Sequence, residues 1–133
     1  MGGGKRSMNY KGVVIEESFH DLTVLKQLKI ILTEVEPVTE SHKTPWIKQW
    51  TLHTVEINES DARSVSDKIS TALDSEHDWY ADFKNDKYHF IIFRNKVFKV
   101  DRNKSEKYEE VKKYGIGLGI PDYQLDFSPN VKV

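Results

Sequence analysis

Reactive side chains are concentrated between His77 and Phe90, where the chain reads HDWYADFKNDKYHF. The stretch combines two histidines, three aspartates, two tyrosines, two lysines and a tryptophan. A carboxylate beside an imidazole fixes its tautomer and favours its charged form, which is one way in which a protein prepares a general base or a pH-sensitive contact. The chemistry of this stretch therefore depends on whether folding places an aspartate beside a histidine.

A β-hairpin is the simplest fold that brings these groups together. Residues 85–86, Asn and Asp, tolerate the left-handed backbone of a two-residue turn, and that turn places Asp82 directly opposite His89. Directly opposed residues have Cβ atoms about 5 Å apart, so the carboxylate can reach the imidazole. Tyr80, Asp82 and His89 are therefore our candidate catalytic residues. The competing interpretation is an ordinary cross-strand pair on a solvated face.

The opposite face of this hairpin is apolar and is expected to belong to the core. Its predicted core residues are Trp79, Ala81, Phe83, Tyr88 and Phe90. A second turn at residues 95–96 would place Phe93 opposite Phe98, and Ile91 opposite Val100, on the face of His89. That face is then partly apolar as well, so a helix, a partner subunit or a ligand has to cover it.

Three further residues are candidates for ligand binding. Trp46 lies in a proline-containing loop, where a large aromatic ring suits a pocket or an interface. His53 follows it in the sequence HKTPWIKQWTLH. Lys84, predicted opposite Lys87, could receive an anion, although lysines at a hairpin tip more often protect an edge.

The histidine spacing does not predict a metal centre. No HExxH motif is present, and scattered histidines are usually structural or exposed. A three-histidine site assembled by folding from His42, His53, His77 and His89 stays open, but we predict neither a metal nor another cofactor.

Length and composition limit the classes of function. The chain has 133 residues, no cysteine and a formal net charge of −1, so thiol chemistry is excluded and duplex nucleic acid is disfavoured as a partner. No apolar run is long enough for a membrane span, which predicts a soluble, cytoplasmic protein. Residues 1–7, MGGGKRS, are expected to be a disordered extension or a cloning remnant, and residues 8–133 a single α+β domain.

The pattern along the chain predicts the order strand, short helix, two strands, helix, three strands, helix. The first long helix has an apolar stripe from Ala62 to Leu73, and the last has a stripe from Tyr108 to Leu118. Gly119 and Pro121 are expected to end the last helix, so YGIGLGIP is a helix end rather than a phosphate loop. We predict a single, largely antiparallel sheet with helices packed on one face. The order matches a ferredoxin-like β-α-β-β-α-β arrangement with extra strands.

The words HKTPW, WTLHTVEI, WYADFKND and YGIGLGIP, together with the length, resemble a family of small prokaryotic proteins that has no assigned activity. The resemblance covers most of the chain from Met8. It implies no catalytic residues.

Three functions are compatible with these features. The first is a small binding or interaction domain, self-associating as a homodimer, that holds a partner or a small ligand on its aromatic and histidine-lined sheet face. The second is a metal-independent acid-base enzyme in which His89 is the base, Asp82 orients it, and Tyr80, His53 or Lys84 polarises the substrate. The third is a module for single-stranded nucleic acid, because aromatic and basic residues alternate after Tyr88.

Overall fold

The computed structural model of the protein describes residues 9–39, 47–77, 79–120 and 125. Six strands form one sheet. They are β1 (Tyr10–Ile15), β2 (Lys29–Pro37), β3 (Gln49–Ile57), β4 (Tyr80–Lys84), β5 (Tyr88–Phe93) and β6 (Lys96–Asp101). The helices are α1 (Ala62–Ala72) and α2 (Ser105–Gly117), and short 3₁₀ turns occupy Glu16–Ser18, Leu22–Gln27 and Glu59–Asp61. The predicted α+β class is confirmed.

The sheet has the order β2-β3-β1-β4-β5-β6, and every neighbouring pair is antiparallel. The predicted single antiparallel sheet is therefore confirmed. The backbones of β1 and β4 come very close at Gly12, where a Cβ atom would lie 2.2 Å from the carbonyl oxygen of Asp82. Only glycine fits at such a point.

The prediction that the helices pack on one face is wrong, because α1 and α2 lie on opposite faces of the sheet. Side chains alternate along β5. Phe90 and Ile92 join the core cluster that contains Ile69 of α1, whereas Phe93 joins the cluster that contains Val111 of α2. Apolar residues on both faces of β5 require cover on both sides, and the two helices supply it.

The hairpin between β4 and β5 differs from the predicted one by two residues. Lys84, rather than Asp82, lies directly opposite His89. The N–H of Asn85 donates to the Tyr88 carbonyl at 3.0 Å, and the Asn85 side-chain oxygen accepts from the N–H groups of residues 87 and 88 at 2.9 and 2.8 Å. Asn85, directly after β4, thus pairs with Tyr88, and residues 86–87 form the loop. A shift of two residues preserves the faces, so the predicted division into core and opposite face holds.

The hairpin between β5 and β6 also differs from the predicted pairing by two residues, in the opposite direction along the chain. Phe98 lies opposite Ile91, and Val100 lies opposite His89. The loop consists of residues 94–95, with Asn95 at a φ of 61°. Ser70 of α1 fixes this turn, because its hydroxyl donates to the residue 93 carbonyl at 2.6 Å and accepts from the residue 96 N–H at 3.1 Å. A contact from a distant helix was not visible in the local sequence.

The end of α2 agrees with the prediction. Gly119 has a φ of 101°, and the N–H of Ile120 donates to the Gly115 carbonyl at 3.1 Å, which is the left-handed closure expected of such a glycine. Gly115 also makes room for Leu125, since a Cβ atom there would lie 2.7 Å from a Leu125 methyl carbon. Leu118, predicted to be buried, is exposed. Pro121 lies outside the described residues. Among the described helices, none combines the length and the apolar character needed to cross a membrane.

Candidate functional site

His89 and Asp82 are in contact, although they are not directly opposed. The Nε2 atom of His89 lies 2.6 Å from Oδ2 of Asp82, a diagonal contact between β4 and β5. The Nδ1 atom of His89 lies 3.1 Å from the hydroxyl of Tyr108 on α2. An ionised carboxylate only accepts hydrogen bonds, so Nε2–H donates to Asp82 and Nδ1 accepts from Tyr108 when the ring is neutral. The three groups form a hydroxyl–imidazole–carboxylate chain.

Burial determines which member of this chain meets solvent. The side chain of His89 is 2% exposed, whereas that of Asp82 is 30% exposed. Both ring nitrogens contact protein atoms, so the imidazole is enclosed and the carboxylate is the accessible end. In this arrangement His89 orients Asp82 and Tyr108. Solvent therefore reaches Asp82 and not His89.

Two cationic side chains, Lys84 and Arg102, lie near the hydrogen-bonded Tyr108, His89 and Asp82 side chains. Burial lowers the pKa of Lys84, and the nearby Arg102 lowers it further, while Asp82 opposes the change. Arg102 also donates to the carbonyl of Asn85 at 2.6 Å. Burial raises the pKa of the Tyr108 hydroxyl, although the charge of Arg102 and a hydrogen bond with it act in the opposite direction. The structure therefore gathers Asp82, Lys84 and His89 in one place.

Tyr80, the third predicted catalytic residue, lies on the same sheet face as Asp82, one pleat repeat away along β4. It is half-buried and packs against the second core cluster. Its ring centroid is 5.9 Å from that of Phe93. The position of Tyr80 is that of a packing residue at the border of the cluster.

The predicted ligand residue His53 lies on the opposite face. It faces Val14, a member of the core cluster under α1. Its Nε2 atom lies 3.0 Å from Oε1 of Glu16, and its Nδ1 atom lies 2.8 Å from the hydroxyl of Thr33. The sheet separates His53 from His89, so the two do not share a site. Trp46 lies outside the described residues.

The two histidine arrangements have the same construction. Each ring is held between a carboxylate at Nε2 and a hydroxyl at Nδ1, and each hydroxyl belongs to an outer element, Tyr108 to α2 and Thr33 to the edge strand β2. Sequence reasoning missed Glu16, Thr33 and Tyr108 as histidine partners. The helical spacing of Tyr108 indicated its burial, but no local signal connected Glu16 or Thr33 to His53.

The edge strand β2 carries the most exposed apolar surface of the described sheet. Within the described residues β2 pairs with β3 alone. Four of its aliphatic side chains are exposed to 40, 50, 51 and 59%, namely Ile30, Ile31, Leu32 and Val35. The ladder contains a bulge at Ile31, since Ile30 faces Val55 and Leu32 faces Thr54. We call this strand with its exposed aliphatics the β2 edge.

A cluster of possible metal ligands lies before β4. Single ligand atoms of Asp74, Glu76 and His77 lie within 4.8 Å of one another. The Asp74 carboxylate already accepts from the Glu76 N–H at 3.0 Å and contacts Nδ1 of His77 at 2.9 Å. Internal hydrogen bonds therefore account for this cluster, and we assign no ion to it.

Comparisons with protein-family models, with curated proteins and with solved structures find no significant match to this chain. The geometry of the chain itself therefore carries the functional argument. The resemblance to a family of small prokaryotic proteins stays a prediction.

The raised pKa of Tyr108 leads to a testable pH dependence. A folded-state pKa above the unfolded value contributes stability that is complete below about pH 10 and is lost as the pH rises through the folded value. We expect Tyr108→Phe to make the fall in unfolding free energy between about pH 9 and about pH 11 smaller. Tyr10, whose burial also raises its pKa, preserves part of this fall. Urea unfolding at several pH values measures the effect.

The same variant has a second expected effect at neutral pH. Loss of the hydrogen bond to His89 lowers the unfolding free energy by about 1 kcal/mol. If the unfolding free energy of Tyr108→Phe fell with rising pH as steeply as that of the wild type, the Tyr108 hydroxyl would not contribute to the alkaline loss of stability.

Proposed function

We propose that the protein is an interaction domain that binds another polypeptide along the β2 edge. The observation that carries the proposal is the row of four half-exposed aliphatic side chains on an edge strand. An edge strand presents unpaired backbone N–H and C=O groups, and an added strand satisfies them while burying the neighbouring apolar side chains.

The residues that usually protect an edge strand from pairing lie at the ends of β2, and this position supports the proposal. Natural edges are blunted by lysine, proline or inward charges. In β2, Lys29 and Pro37 stand at the two ends, and the aliphatic residues lie between them. The middle of the strand contains the bulge at Ile31 and the acidic Glu34, but its aliphatic side chains are exposed to a partner.

The histidine-lined face around His89 has a different role in this proposal. Helix α2 lies over it, with Tyr108 bonded to His89 and Val111 buried in the second cluster. Helix α2 therefore covers the apolar residues of that face. We therefore transfer the partner-binding role from the His89 face to the β2 edge. Metal-independent acid-base catalysis by the Asp82–His89 pair, with His89 as the base, stays the alternative prediction, supported by the 2.6 Å contact between the two side chains. Binding of single-stranded nucleic acid also stays a prediction.

Two finer expectations form part of the proposal. The run β2-β3-β1-β4 in the sheet order supports a ferredoxin-like arrangement of the first four strands, to which β5 and β6 are added. The composition supports a cytoplasmic location.

Selection of peptides on the immobilised full chain tests the function. Random decapeptides displayed on phage should yield binders that alternate apolar and polar residues, because such peptides match an added strand. In nuclear magnetic resonance titrations, the selected peptides should shift the amide signals of β2 and β3 rather than those of α1. Selected peptides that perturb only α1 or the Asp82 region would refute the proposal.

A pair of matched variants sharpens this test. Leu32 on β2 and Leu22 in a 3₁₀ turn are both 51% exposed. We expect Leu32→Lys to weaken peptide binding at least tenfold, since it places a charge in the apolar row, and Leu22→Lys to leave binding unchanged. Equal losses in both variants would indicate a nonspecific apolar contact.

A further inference from the structure

We infer that the partner at the β2 edge is a second copy of this chain, paired antiparallel to the first about a two-fold axis at Thr33. The inference rests on the proposed function, because it names the partner of the same edge. Two such copies would join their six-stranded sheets into one continuous sheet. An isologous contact of this kind closes on itself and leaves no further β2 edge open.

The bulge at Ile31 sets the register. Thr33 faces His53 in the ladder with β3, whereas Lys29 faces Glu56 and Glu36 faces Trp50. Ile31 has no partner residue on β3. The β3 partners of Lys29 and of Glu36 are therefore each three residues from His53, the partner of Thr33.

The two-fold axis at Thr33 makes the outer positions of the strand complementary. Lys29 then faces Glu36 of the second copy, and Ile30 faces Val35 of the second copy, while Leu32 faces Glu34 next to the axis, with each pair occurring twice. Cross-strand pairs of opposite charge and of aliphatic residues are each worth roughly 0.2–1 kcal/mol. Without the bulge the same axis would place Lys29 opposite Pro37. The bulge at Ile31 therefore brings Lys29 opposite Glu36 of the second copy.

The faces of the sheet agree with this register. A two-fold axis perpendicular to the sheet keeps each side chain on its own face. Lys29 and Glu36 face β3 residues of the same parity, so they share one face, as their pairing requires. Ile30 and Val35 share the other face by the same argument, together with Thr33.

Charge favours a second copy over an unrelated apolar strand. The half of the β2 edge that follows Thr33 is acidic, with Glu34 and Glu36, and the other half carries Lys29. A second copy places its basic end beside the acidic end of the first. One nine-residue strand buries less surface than the roughly 800 Å² per partner of a standard interface. We therefore expect a weak dimer, with a dissociation constant on the order of 10 μM.

Charge reversal tests both the partner and the register. Sedimentation velocity of the full chain over a concentration series should show a monomer–dimer equilibrium. We expect Lys29→Glu and Glu36→Lys each to weaken the homodimer about tenfold or more, because each variant sets like charges opposite each other at both ends. An equimolar mixture of the two variants should recover dimerisation as a heterodimer, since opposite charges then face each other at both ends. Leu22→Lys is the control and should dimerise like the wild type.

The outcomes separate this inference from the proposed function. A wild type that is monomeric up to about 1 mM would overturn the second-copy inference, while selected peptides that bind β2 would still support an interaction domain. A dimer that withstands both charge reversals would place the contact elsewhere. Single variants that lose the dimer without recovery in the mixture would overturn the register. Recovery in the mixture would support it.

Discussion

Gly12→Ala is expected to lower the free energy of unfolding by about 3 kcal/mol or more. The new methyl group would lie 2.2 Å from the carbonyl oxygen of Asp82 and 2.8 Å from the Cα atom of Phe83. Both are backbone atoms of β4, so no side-chain rotation relieves the overlap. The strands β1 and β4 have to separate at the centre of the sheet. Thermal unfolding should show a midpoint lowered by on the order of 10 °C.

A second glycine provides the control for this experiment. A Cβ atom at Gly117, in the last turn of α2, would meet no atom within 4 Å. Alanine has a higher helix propensity than glycine, so Gly117→Ala should stabilise the protein by up to about 1 kcal/mol. Similar unfolding free energies for Gly12→Ala and the wild type would show that β1 and β4 are not in close contact.

His89→Ala should lower the free energy of unfolding by about 3 kcal/mol. The substitution opens a cavity beneath α2 and removes one hydrogen-bond partner of the buried Tyr108 hydroxyl and one of the Asp82 carboxylate. A cavity and unsatisfied polar groups each cost on the order of 1–3 kcal/mol, and the partial exposure of Asp82 keeps the sum near the lower end. Urea unfolding at neutral pH measures the change.

His20 is the matched control because its bond is exposed. Its Nε2 atom lies 3.0 Å from the Thr71 carbonyl at the protein surface. Water replaces such a contact at little cost, so His20→Ala should change the unfolding free energy by less than about 0.5 kcal/mol. A comparable loss in both variants would refute the structural role assigned to His89.

The faces of the strands were predictable from the sequence, but their register was not. Alternation places Phe83 and Phe90 on one face whether the turn begins at residue 85 or 86, because the two alternatives differ by two residues in pairing. The choice between them depends on the side chain of Asn85, which bonds to two backbone N–H groups of the turn. Asp82 and His89 are in contact despite the different register, since a diagonal contact lies within the reach of these side chains.

Longer-range features were beyond sequence reasoning for a different reason. The apolar character of Ile91 and Phe93 indicated that their face needs cover, but nothing local identified α2 as the cover. Likewise, the mixture of aliphatic and charged residues in β2 does not indicate whether the strand is central or at the edge. Its position at the sheet edge, and hence its exposure, follows from the order in which β3 and β1 pair.

Among the described strands, β5 alone is buried on both faces from His89 to Phe93, and each face is covered by a different layer. The layer of α2 rests on the sheet without contributing to the α1 core, so we expect it to open as a separate unit at a lower free energy than the whole fold. Such an opening uncovers one side of β5, where the imidazole of His89 lies. In the closed state that imidazole contacts Asp82 and Tyr108; such an opening would expose it to water.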